Sequence, residues 1–498
     1  MKNTIVLNWD SDAEFYFIKN LTNMQNPEQQ AIEYFDKYYN NPGISDIIFE
    51  IFCQTSVTAS KVFETRTDKY LLKSENNTQV DYTENEYLSK IYECRVIHNV
   101  ALTELWIKRC CEIGKNAWIS LRMNDNHYRD EDTCFIRSEF FYTAVKNGWM
   151  LGDKHKYRSG YRNFDYAIPE VREKMLLYIR EQLEKIDVYG IQLDFSREPK
   201  CLKYLDSEDV CKYMTDFIRG VKKIISDCEK IHGHKIKLAV MLVRDINLAK
   251  KIGFDTVTWA KEGLIDVITP NSHWLGCDTG MPISEWCDSL NKYDVDVYAG
   301  MEMNLPYRLP IDVETAKGFN YQSLAQGAKK TVIYNLYHIY LSYIKNKGLW
   351  DKAPSEKEIT DVWRFCADSY GVRRHILTQE MLGFDEVKPR WQPLPTIING
   401  EQTFDINTGS INSGEKTTLY IGIENADIKE LIVKINGKSC QLSKNNKDAH
   451  ILKNPIQDSD KVFAFEICDF ESNSISQSIS FFGVNDAKLF YLEMKVEK

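Results

Sequence analysis

Eight short apolar runs, each leading into a stretch of helical periodicity, recur through the first two thirds of the chain and leave few architectures open to it. "TIVLNW" (4–9) precedes "PEQQAIEYFDKYY"; "DIIFEIF" (46–52) precedes, after a long insertion, "NVALTELWIKRCCEIG". "AWISLRM" (117–123) and a second insertion lead to "IPEVREKMLLYIREQLEKI", where Pro169 and the acids behind it mark a helix start. "VYGIQLDF" (188–195), "KIKLAVMLV" (235–243), "LIDVITP" (264–270), "VDVYAGMEM" (295–303) and "KTVIYNLY" (330–337) complete the series. Strands apolar on both faces and alternating with helices are what a closed parallel barrel requires. An open doubly wound sheet is the competing arrangement, but "NWDSDAEF" after the first strand has no glycine for a phosphate-binding turn.

Near "KPRWQPLPTIINGEQ" the texture changes to short turn-bounded strands: "TTLYIGI", "ELIVKING", "KVFAFEI", "SISFFG" and "KLFYLEMKV". The predicted fold is therefore α/β, a (β/α)8 TIM barrel over 1–390 with long insertions after strands two (56–97) and three (124–168), followed by a C-terminal β-sandwich over 391–498. Insertions of that size commonly wall a pocket.

The bulk numbers narrow the function classes. Hydrophobic residues make up 43% and charged residues 27%, and no apolar run approaches the roughly 20 residues of a membrane span, so no membrane partner is expected. A formal charge of −9 with scattered basic residues argues against nucleic acid. The thirteen cysteines form no C-x-x-C pair, and "MKNTIVLNWDSDAEF" lacks the pattern of an export signal, which together favour a reduced, cytoplasmic setting. Aromatic residues reach 12%, an enrichment shared with sugar-binding clefts.

In such a barrel the chemistry sits at the C-terminal strand ends, and period-2 alternation decides which residues face the axis. In "GIQLDF", Ile191, Leu193 and Phe195 are placed outward, leaving Gln192 and Asp194 inward. In "VDVYAGMEM", Val297, Ala299 and Met301 are placed outward, leaving Tyr298, Gly300 and Glu302 inward. The other strand ends are polar too: Trp9 and Asp10 on strand one, Glu50 on two, and Arg122, Asn124, Asp125 and His127 on three. Arg197 follows strand four, Arg244 ends five, Asn271, His273 and Trp274 end six, and Asn335, Tyr337 and His338 end eight. These are the candidate substrate-binding residues.

Two carboxylates facing each other across one mouth suit glycoside cleavage, in which one is protonated to assist the leaving oxygen and the other ionised to attack or to activate water. The sequence assigns Asp194 as general acid and Glu302 as nucleophile or general base, with Glu198 as the alternative acid. No G-x-S-x-G elbow supports serine hydrolysis, and no H-E-x-x-H spacing supports a metal, although Asp10, Glu50, Asp194, His273 and Glu302 could in principle hold one. No cofactor is expected. A metal-dependent sugar lyase or isomerase and a non-catalytic carbohydrate-binding protein are the alternative readings, and a homo-oligomer stays open.

"AWISLRMND", "NFDYAIPEVREKMLLYIREQLEKIDVYGIQLDFSREP" and "GLIDVITPNSHW" resemble the glycosyl-hydrolase-like TIM barrels described as similar to family ten xylanases, over roughly 4–345. The resemblance implies a carbohydrate-active hydrolase, with Asp194 and Arg197 at the matching strand-four positions and Glu302 at the strand-seven position of a retaining nucleophile. The chain departs from the xylanase pattern at strand four, where Gln192 and Asp194 stand in place of Asn-Glu, so xylan is not implied as the substrate.

Overall fold

A computed structural model describes residues 5–9, 26–71, 86–125, 136–152, 162–205, 209–272, 277–302, 304–305, 309–336, 372–377, 394–453 and 458–498. Eight strands form the barrel: β1 (Ile5–Trp9), β2 (Ile44–Cys53), β3 (Asn116–Arg122), β4 (Gly190–Asp194), β5 (Lys237–Val243), β6 (Val267–Asn271), β7 (Asp296–Met301) and β8 (Lys330–Leu336). Neighbours pair in parallel, and β1 closes the cylinder by pairing with both β2 and β8. The helices that cover it include α1 (Pro27–Tyr39), α2 (Leu102–Glu112), α3 (Pro169–Lys185), α4 (Val210–His232) and, before the last barrel strand, α5 (Val313–Ala325). Pro169 occupies the first turn of α3, as its fixed φ favours.

Alternation along the strands sorts the core into two layers. Ile191, Leu193, Phe195, Val297, Ala299 and Met301 belong to the large cluster between strands and helices. Val6, Ile48, Trp118, Ala239, Met241, Val267, Tyr298, Val332 and Tyr334 form a separate inner cluster that fills the barrel axis. A closed floor lies beneath them. Asp46, at the N-terminal end of β2, is fully buried and accepts from Trp118 Nε1 and Asn116 Nδ2 at 2.9 Å each, and from Ser45 Oγ and Lys330 Nζ. Four donors, one of them the Lys330 ammonium, neutralise that carboxylate inside the protein.

The C-terminal region is a two-sheet sandwich. One sheet joins β9 (Arg373–Ile376), β10 (Thr396–Asn399), β12 (Lys416–Glu424), β14 (Gln441–Ser443), β15 (Val462–Ile467) and β17 (Asn485–Glu497); the other joins β11 (Gln402–Asn407), β13 (Ile432–Ile435), β16 (Ser476–Phe482) and the short strand Lys438–Ser439. Their inner faces enclose a second core that includes Ile398, Leu419, Ile479, Phe481, Leu489 and Met494. β9 lies before the expected boundary at 390/391, yet Arg373–Ile376 pairs antiparallel with Glu493–Val496 of β17. The sandwich thus takes a strand from the segment assigned by sequence to the barrel.

That strand runs along the seam between the regions. Arg374, 2% exposed, donates to Glu314 of α5 at 2.5 Å, to Glu493 at 2.5 Å and to Asp448 Oδ1 at 2.9 Å. Gly318 lets α5 approach: a Cβ there would lie 1.9 Å from the Arg374 carbonyl oxygen. His450 of the sandwich meets Asp312, the N-cap of α5, at 3.1 Å.

Candidate active site

Residues at the ends of β4, β6, β7 and β8 converge at the mouth. Asp194 is the last residue of β4 and has no exposed surface. Its Oδ1 accepts from Ser196 N and Ser196 Oγ at 2.8 Å and from Arg197 N at 3.3 Å; its Oδ2 accepts from the Tyr334 hydroxyl of β8 at 2.5 Å. Four donors around one carboxyl group suit the ionised form, which only accepts. The chain bends immediately after β4, and this bend delivers the two backbone N–H groups.

Glu302 follows β7 and is 2% exposed. Burial pushes its carboxyl from the ordinary 4.5 up to about 8; the Asp194 charge adds to the rise, while Arg197, Arg122 and a hydrogen bond from Asn271 oppose it. At neutral pH Glu302 therefore carries its proton. Tyr334 is raised well above the usual phenol value by burial and by the Asp194 charge, so it remains a donor. One mouth thus holds a carboxyl group met by four donors and a second one raised by burial.

The sequence-predicted residues divide into groups. Asp194, Glu302, Arg122, Arg197 and Asn271 are brought together, because the charges or hydrogen bond of the other four act on Glu302. Glu50 and Asp125 form the next layer outward: Glu50 Oε1 accepts from Arg122 N at 3.1 Å, and Asp125 Oδ2 pairs with the Arg122 guanidinium at 3.4 Å. They hold the arginine in place. Asn124 is turned to the far end of the second insertion, exchanging bonds with Phe164 N (2.9 Å) and Phe164 O (3.5 Å). Arg244 is tied to Asp278 and to the Gly280 carbonyl at 2.7 Å, which stiffens the loop after β6. Glu198 is buried in the turn after β4, its carbonyl accepting from Cys201 Sγ at 3.8 Å.

Trp9 corrects an expectation. It faces the helices, its ring stacked on Tyr39 of α1 at 4.2 Å and on Trp106 of α2 at 4.7 Å, and it has no place in the mouth. Strand parity explains this: Ile5, Leu7 and Trp9 share the outer face, and Asn8, which bonds Gln192 at 3.3 Å, is the inward residue. Asp10, His127, His273, Trp274, Tyr337 and His338 lie outside the described residues, as does the side chain of Asn335 in β8.

Tyr334 and Ser196 were missed at the sequence level. For Tyr334 a signal existed, because it shares parity with Val332 on the inner face. For Ser196 there was none, since a turn has no period. Among the described residues, no three His, Cys, Asp or Glu side chains gather as a metal-holding cluster, and no helix is long and apolar enough to cross a membrane.

No family model matches the sequence, and no curated protein matches it either. Solved structures similar to the chain include α-L-fucosidase isoenzyme 2 from Paenibacillus thiaminolyticus, at 13% identity and a TM-score of 0.44, covering 74% of this chain and 49% of that one. The chain thus spans about half the length of that fucosidase. The endo-β-1,4-mannanase from Thermotoga petrophila is similar at 10% identity and a TM-score of 0.46, covering 99% and 97%. Tryptophan synthase from M. tuberculosis is similar at 8% identity and a TM-score of 0.30, covering 74% and 92%. At these scores the likenesses say nothing of the chemistry at this mouth.

Proposed function

We propose that the chain is a glycoside hydrolase in which Asp194 is the nucleophile and Glu302 the general acid and base. What supports this reading is the contrast between two buried carboxyl groups in one mouth: Asp194 accepts four hydrogen bonds, whereas burial pushes Glu302 up to about 8. The roles are the reverse of those read from the sequence. Strand position gave no information on protonation, which is decided by donors from a turn and by burial.

In the proposed cycle Glu302 passes its proton to the glycosidic oxygen as the bond to the leaving group breaks, and Asp194 attacks the anomeric carbon to form a glycosyl ester. The ionised Glu302 then takes a proton from water as that water attacks the same carbon, releasing Asp194. Arg122 and Arg197 keep Glu302 from rising further and steady the charge that moves between the two groups.

Aryl glycosides and natural oligosaccharides supply the test. Wild-type enzyme should release product from at least one, Asp194→Ala should release almost none, and added azide should restore turnover of the aryl substrate with a glycosyl azide as product. Near-normal hydrolysis by Asp194→Ala rejects the assignment.

A further inference from the structure

The two long insertions after strands two and three lie outside the barrel strands, yet they meet. Residues 60–68 of the first and the helix Glu139–Asn147 of the second close against α3 around a hollow of about 430 Å³, within the range of small-molecule sites. The walls are fixed from behind. Glu64 Oε1 accepts from Glu139 N at 2.6 Å, which joins the two insertions. Ser60 Oγ and Lys61 N donate to the Glu181 carboxyl of α3 at 2.6 and 2.7 Å. The Phe63 and Phe140 rings meet edge-on at 5.9 Å. The Lys174 ammonium of α3 lies over Phe63 at 5.0 Å and over Phe140 at 5.7 Å, and among the described residues no acceptor takes its three N–H groups. A hollow built in this way leaves little ordering cost for binding.

None of the residues that meet Asp194 or Glu302 lines it. The lining sets two amines, Lys61 and Lys174, beside three carboxyl groups, Glu64, Asp68 and Glu139. A bare anion would face the acids, a bare cation would face the amines, and an apolar ligand would strip water from all five. Hydroxyl groups suit both signs, because each one donates and accepts. A pyranose carries them around a ring whose C–H surface packs against phenyl side chains. We propose that this hollow is a second saccharide site, taking a neutral oligosaccharide on the flank of the barrel. This rests on the reading of the chain as acting on carbohydrate. Its role is to retain a glycan on the protein, with cleavage left to the mouth.

The experiment is hydrogen–deuterium exchange read by mass spectrometry on the full chain carrying Asp194→Ala, with malto-, cello-, manno- and xylo-oligosaccharides added in turn at millimolar concentration. At least one of them should slow exchange several-fold in peptides covering 60–68 and 139–147. The slowing should vanish in Lys174→Met, which keeps the stem over the rings and loses the donors. It should also vanish in Thr143→Tyr, which fills the hollow from an exposed position. Either change, made alone in the wild-type chain, should leave melting and the hydrolysis of short aryl glycosides near wild type. No slowing there by any neutral saccharide overturns the site. So does slowing that survives both substitutions, or slowing produced only by glucuronate or by a zwitterionic amino acid. Failure of the wild-type chain to release product from any glycoside would instead overturn the assignment at the mouth and leave the exchange result standing, so the two failures are told apart.

Discussion

The barrel buries a carboxyl group at each end, and the two are treated in opposite ways. At the floor Asp46 is met by Trp118, Asn116, Ser45 and the ammonium of Lys330. At the mouth Arg197, Arg122 and Asn271 oppose the rise of Glu302 without offsetting it, and burial wins. The floor group is satisfied and holds strands together; the mouth group is left with a proton it can give away. Burial alone therefore does not mark a functional acid. Incomplete compensation does.

Changes at the mouth should act on turnover and changes at the floor on stability. The largest expected effect is on turnover: Asp194→Asn and Glu302→Gln should each lower kcat by roughly a thousandfold or more, with melting temperatures near wild type. Glu302→Gln should be much milder on aryl glycosides with good leaving groups, which need no acid; an equal loss on good and poor leaving groups would break the comparison. Next comes Asp46→Asn, which strands Lys330 and should cost about 3 kcal/mol by denaturant titration, while kcat of the folded protein stays within about twofold.

Tyr334→Phe sharpens the contrast from the other side of the pair. Asp194 keeps three of its four donors, so kcat should fall by about tenfold, the scale of one hydrogen bond to a charged group. Loss equal to that of Asp194→Asn would instead make the phenol itself indispensable. The last prediction concerns pH. The folded value of Glu302 is raised to about 8, so its contribution to stability is fully present below about 4.5 and is lost as pH rises to about 8. Glu302→Gln should flatten the stability curve across that window. The activity of wild type should fall above the same upper limit, as the acid loses its proton.

Much of this was legible from the chain. All eight barrel strands and the inward facing of Asp194 and Glu302 follow from apolar runs and period-2 alternation, because in a barrel each strand is read by the same rule at every position. Trp9 was misplaced by grouping it with its polar neighbour instead of its parity. What the sequence could not carry is contact at a distance. Asp278 lies 34 residues from Arg244 and Tyr334 lies 140 from Asp194, so neither partnership leaves a local pattern. The protonation of Glu302 is likewise a sum over β3, β4 and β6, and no single segment reports it.

The placement of β9 has a practical side. A fragment beginning at residue 391 would lack Arg373–Ile376 and leave Glu493–Val496 as an open ribbon edge, with Glu493 stripped of Arg374. The last strand of the chain is completed by the segment that leaves the barrel, so the two halves are cut from one piece of cloth, and a clean separation would have to begin upstream of Arg373.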